Sequence, residues 1–147
     1  MMDAKTYLRQ LHDLDREIDA LLQRRERYEA LATRRTASYS DMPRGGRTES
    51  SVEYFACRLV ELAQDIDAKI DLFVDLTREA ERLIEQVPDE RYRRILKYRY
   101  LNGWRWERIA EAMNYDRRQV TRLHGDALQA FGGVRETCPT MSHSSVL

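Results

Sequence analysis

Cysteine, proline and glycine are scarce in these 147 residues, at two, three and six. Cys57 and Cys138 have neither a second cysteine nor a histidine at metal-ligand spacing, and no secretory segment opens the chain, which predicts a reduced cytoplasmic setting. No apolar run approaches the ~20 residues of a membrane span, so no membrane partner is expected. Pro43, Gly45 and Gly46 stand together and the remaining prolines and glycines begin at Pro88, which leaves long stretches free of helix breakers. Also missing are a Ser/His/Asp set, a metal cluster and a phosphate-cradling glycine loop, so the expectation is a protein without catalytic residues, metal or cofactor rather than an enzyme.

A net charge is lacking as well, with 25 Lys+Arg against 25 Asp+Glu, but the balance hides an asymmetry. Residues 1–87 carry 14 basic against 18 acidic side chains, whereas residues 88–131 carry 10 against 6. What the chain does have, 42% hydrophobic and 34% charged residues, suits a soluble, strongly helical protein of one or two small domains.

Tyr7, Leu11, Leu14, Ile18, Leu21, Arg25, Tyr28 and Ala32 alternate spacings of four and three, the seam of a coiled coil. Residues 34–50 lose that rhythm, gather Ser, Thr, Pro, Gly and four arginines, and read as a flexible loop. Ser50 with Glu53 forms a capping-box pattern for a second helix, along which Val52, Ala56, Leu59, Ala63, Ile66, Ile70, Phe73, Ala80, Ile84 and Val87 repeat the rhythm, interrupted at Thr77, until Pro88. The fold class expected is therefore all-α, with an antiparallel, coiled-coil-like helical hairpin over 1–87. Two helices bury only one stripe each, so the hairpin calls for a further surface; self-association into a homodimeric four-helix bundle is the first expectation, with packing against the C-terminal module or against another protein as the alternatives.

From Pro88 the pattern changes. Pro88 suits a first helical turn with Asp89 and Glu90 behind it; Tyr92, Ile95, Leu96 and Leu101 make an apolar side, and Gly103 ends the helix. Ile109, Ala110, Met113, Tyr115, Val120 and Leu123 then have the spacing of two helices crossed at a tight turn, with Asn114 where a left-handed residue is needed. Asp116 reads as an N-cap with Gln119 three residues on, opening a helix to about Ala130 that directs Val120, Leu123, Ala127 and Phe131 inward. This is the pattern of a three-helix, helix-turn-helix domain over 88–131, followed by a disordered tail over 132–147. Arg117, Arg118, Gln119, Thr121 and Arg122 fall at the outward start of the last helix, where arginine can pair with guanine or phosphate and glutamine with adenine. His124 is a candidate phosphate contact or an ordinary residue at the packed edge, and Trp104 and Trp106 are expected to anchor the module rather than stack on bases.

The run RYRRILKYRYLNGWRWERIAEAMNYDRRQVTRLHGDAL resembles region 4 of bacterial sigma-70 factors, the module that reads the upstream promoter element. With the N-terminal YLRQLHDLDREID and the QVPDERYRRIL junction, the layout over about residues 4–130 is similar to a family of small phage and prophage proteins of Gram-positive bacteria, sigma-like or late transcription regulators. That resemblance implies an activator or adaptor that binds double-stranded DNA through Arg117, Arg118, Gln119, Thr121 and Arg122, acts at the host nucleoid and engages RNA polymerase. No counterpart of the sigma segment that melts the promoter is present, so initiation by this chain alone is not implied. The competing expectations are a DNA-packaging component resembling a small terminase subunit, and a pure interaction protein that holds RNA polymerase.

Overall fold

The computed structural model describes residues 2–39 and 48–138 and is all-helical, with no strand among the described residues. Its helices are α1 (Ala4–Tyr39), α2 (Thr48–Glu85), α3 (Glu90–Leu96), α4 (Trp106–Met113) and α5 (Arg117–Thr137), with a π-helical segment, Lys97–Leu101, continuing α3.

The long helices exceed their expected bounds. Residues 34–39 and 48–50, read from the sequence as loop, are helical, and Ser50 lies in the first turn of α2 rather than at its cap. Neither segment contains a proline or glycine, so composition weakened the helical pattern without any residue that forbids it. The rest of the expected loop, 40–47, lies outside the described residues. At the other end, Asp3 starts α1 by accepting the Thr6 amide at 2.7 Å, satisfying one of the unpaired amides of the first turn.

The chain divides into two compact units, one of residues 14–72 and one of residues 1–13 with 73–147. In the first, Leu14 and Ile18 of α1 and Leu62 and Ile66 of α2 are buried, and Lys69 pairs with Glu17 at 3.1 Å. The seam read from the sequence is covered only in part there: Val52 is 53% and Ile70 39% exposed, and outside the seam Val60 and Leu72 are open as well.

The second unit has a single core. Tyr7, Leu8 and Leu11 from α1 and Ala80, Leu83, Ile84 and Val87 from α2 join Ile95, Leu96, Tyr100, Ile109, Val120, Leu123, Ala127, Phe131 and Val134. Packing therefore crosses the boundary suggested at Pro88, because the helix ends supply one side of the core that α3, α4 and α5 need. At ~25 cal/mol per Å² of apolar surface, three helices of seven, eight and 21 residues gain much from that added cover.

Three local departures from the sequence reading have evident causes. Pro88 precedes the cap instead of occupying the first turn; Asp89 is the N-cap, its carboxylate accepting the Arg91 amide at 2.9 Å. The wider π turn closes with the Asn102 amide on the Lys97 carbonyl at 2.9 Å and carries Tyr100 into the core. Finally, α5 does not stop near Ala130. Val134 is buried, Arg135 donates to the Met2 carbonyl at 3.0 Å and lies over the Tyr7 ring, so residues 132–137 are helix and not tail. Residues 139–147 lie outside the described residues.

Candidate nucleic-acid interface

The surface of interest begins at the turn between α4 and α5. Asn114 has φ 61° and ψ 40°, the left-handed conformation that its short side chain tolerates. The Tyr115 amide reaches back to the Ala110 carbonyl at 2.9 Å and the Asn114 amide to the Glu111 carbonyl at 3.3 Å, a paired closure that ends α4 and turns the chain sharply. Tyr115 and Ala110 both pack against the core, which fixes the direction in which α5 leaves.

A reciprocal cap then starts α5. The Asp116 carboxylate accepts the Gln119 amide at 2.8 Å, and the Gln119 side-chain oxygen accepts the Asp116 amide at 2.9 Å. Val120, Leu123, Ala127, Phe131 and Val134 then form the buried stripe, spaced by three and four. This inward face fixes the outward one.

The six candidate residues divide by this geometry. Arg117, Arg118, Thr121 and Arg122 together line an open depression on the outward side of the first turns of α5. All four are exposed, and among the described residues no side-chain hydrogen bond, ion pair or ring contact engages the three arginines. Three guanidiniums thus stand together at the positive end of a helix dipole with no carboxylate against them, which concentrates positive potential. Thr121 is exposed but its hydroxyl donates to the Arg117 carbonyl at 2.9 Å. Gln119 is exposed too, and its side-chain oxygen is held by the cap.

His124 lies apart. Its Nε2 shares a 2.8 Å hydrogen bond with the Tyr100 hydroxyl, and its ring meets Trp106 edge-on at 4.5 Å and stacks on Tyr100 at 5.8 Å. Burial first, then the charges of Lys5 and Arg99, push its pKa down to about 4, so the ring is neutral at pH 7. A neutral, half-buried ring offers no charge to a phosphate.

The tryptophans hold this neighbourhood together. Trp104 stacks on Tyr98 at 4.4 Å and carries Arg108 at 4.0 Å on its other side, while Arg99 lies 4.5 Å from the Trp106 ring and donates to the Trp104 carbonyl at 3.0 Å. The His12 ring nitrogen donates to the Arg99 carbonyl at 2.8 Å, tying α1 to the π segment.

Several other cations of the unit are engaged, though among the described residues Lys5, Arg9, Arg78 and Arg82 have no hydrogen bond, ion pair or ring contact. Arg91 pairs with Asp89 at 3.0 Å and Arg94 with Glu90 at 2.8 Å, Lys97 meets Glu85, and Arg93 donates to the Val87 and Pro88 carbonyls. Arg105, exposed at the N-cap of α4, has no such partner among the described residues; the sequence reading passed over it, although a basic residue just before a helix start was the available signal. Among the described residues no group of His, Cys, Asp or Glu is placed to hold a metal ion, and no helix is long and apolar enough to cross a membrane. No family model, curated protein or solved structure matches the chain, so the meaning of this surface rests on its geometry.

Proposed function

We propose that the protein is a sequence-specific, double-stranded-DNA-binding transcription regulator rather than an enzyme. On this reading α3, α4 and α5 act as a helix-turn-helix module, α5 enters the major groove, and α1 and α2 form a hairpin that sets the partner. One observation carries the reading: Arg117, Arg118 and Arg122 are exposed, without partners among the described residues, on the outward side of a helix whose start is fixed by a left-handed Asn114 and a reciprocal cap. A guanidinium so placed can donate two hydrogen bonds to guanine O6 and N7, and such pairs discriminate bases by roughly 1–3 kcal/mol each. Arg118 and Arg122, one helical turn apart, are the base readers of this scheme; Arg117 and Arg105 contact phosphate.

The test is fluorescence anisotropy with a duplex selected from a random pool by the wild-type chain. The double variant Arg118→Glu with Arg122→Glu should lose binding altogether, and wild-type affinity should fall steeply with salt, by a log–log slope of about −0.9 per phosphate neutralised. Unchanged affinity in the double variant sinks the reading.

The exposed Val52, Val60, Ile70 and Leu72 favour a second element of the proposal, a protein partner on the hairpin, with a homodimer as the first expectation and RNA polymerase as the other. Sedimentation of the full chain with and without Ile70→Glu separates them: a dimer that the variant dissociates supports self-association, and a wild-type monomer excludes it.

A further inference from the structure

Resting on the reading of α5 as the DNA-facing helix, we infer that Gly125 is the point of closest approach between the protein and duplex DNA, kept bare so that the helix backbone can lie against the groove wall. Gly125 is in the interior of α5, where glycine is disfavoured more than any residue but proline. Nothing among the described residues calls for it. The positive-φ residues among them are Gly103 and Asn114, so Gly125 keeps an ordinary helical backbone, and a Cβ placed on it would meet none of their atoms within 4 Å. Gly132 differs, since a Cβ there would touch the Ala4 side chain at 3.8 Å.

Its place on the helix supplies the missing reason. Gly125 follows Thr121 by four positions, Arg122 by three and Arg118 by seven, so it continues their outward strip by one turn and is itself exposed. A side chain there would act as a spacer just beyond the arginines and lift them from the bases. Without it, the sugar–phosphate wall can approach the Cα directly, and the guanidiniums of Arg118 and Arg122 reach base edges instead of stopping at phosphates. Gly133 is exposed and open in the same way, but it lies in the last turn, where helix propensity counts for less, and two turns beyond Gly125. It serves as the internal control.

The experiment measures melting temperature and affinity for the selected duplex in the full-length wild type, Gly125→Ala and Gly133→Ala. Both substitutions should raise the melting temperature, Gly125→Ala by about 3 °C and Gly133→Ala by less, because alanine is the better helix former. Only Gly125→Ala should weaken DNA binding, by about tenfold, as a methyl group forced into a close-packed contact does. Affinity of Gly125→Ala within twofold of the wild type overturns the inference while leaving the DNA-binding reading standing. So does a lowered melting temperature in that variant, which would mean that the fold itself requires the glycine, or equal weakening by Gly133→Ala. A wild-type chain that selects no duplex at about 50 mM salt removes the reading beneath the inference.

Discussion

Lowering the pH should loosen the second unit through His124. The neutral ring sits against Tyr100 and Trp106 with Lys5 and Arg99 nearby, and its pKa is pushed from 6.5 down to about 4. A histidine depressed in the folded state binds its proton preferentially in the unfolded chain. Stability is therefore whole above pH 6.5 and declines as the pH falls from 6.5 towards about 4. A shift of that size corresponds to roughly 3 kcal/mol at full value, and the ring's partial exposure to water discounts it to about 2 kcal/mol. The carboxylates of Asp3, Glu85 and Asp89 are all held below their ordinary values of 3.8 and 4.5, so their contribution is lost only as the pH falls below those values, and the interval between pH 7 and 5 tests the histidine. Urea unfolding of the wild type at pH 7 and 5 should show the decline, and His124→Phe, which keeps a ring against Trp106, should flatten it. An NMR titration placing His124 near its ordinary pKa, or a variant that declines as steeply as the wild type, refutes the reasoning and returns His124 to the surface as a possible phosphate contact.

Three further outcomes are expected. Leu8→Ala should destabilise the second unit by roughly 2–5 kcal/mol in chemical denaturation, since Leu8 is fully buried in the core that Phe131 and Ile84 share. Replacing Asn114 by Gly should leave stability within about 0.5 kcal/mol, whereas Asn114→Val should cost ~1–2 kcal/mol for a β-branched residue held at φ 61°, read by thermal melting. Gln119→Ala should lower stability by ~0.5–1 kcal/mol through the cap and leave base preference in a binding-site selection unchanged; an altered preference at one position would show that Gln119 does read DNA.

Local chemistry was the most readable part of the sequence. Asn114 at the turn and Asp116 with Gln119 at the start of α5 each depend on residues within a few positions, and all adopt the expected conformations. The inward stripe from Val120 to Phe131 was visible for the same reason, as a period of three and four on one helix. Information carried by distant contacts was not. Leu8 falls outside the regular seam of α1, and only the core shared with α5 explains its burial. The run past Ala130 is held by Val134, which continues the stripe three residues after Phe131 but stands behind the helix-weakening pair Gly132 and Gly133, and by Arg135 on the Met2 carbonyl, a distant contact that no local pattern announces. In the candidate surface, Arg117, Arg118, Thr121 and Arg122 were legible as an exposed set. The capping box already present in the pattern was the signal that Gln119 is occupied; His124 needed its partners in three dimensions, since a histidine at that spacing is compatible with either face.

The bond from Arg135 to Met2 joins residues 133 positions apart, and the same neighbourhood sets Tyr7 against Phe131 at 5.9 Å. This has a consequence for biosynthesis. On a ribosome adding about 5–20 residues per second, the first turns of α1 emerge early with Leu8 and Leu11 uncovered and must wait for the partners that α5 brings last. Maturation of the basic surface is thereby tied to the synthesis of α5. A nascent chain that lacks Val134 would leave the apolar start of α1 open, a ready target for chaperones.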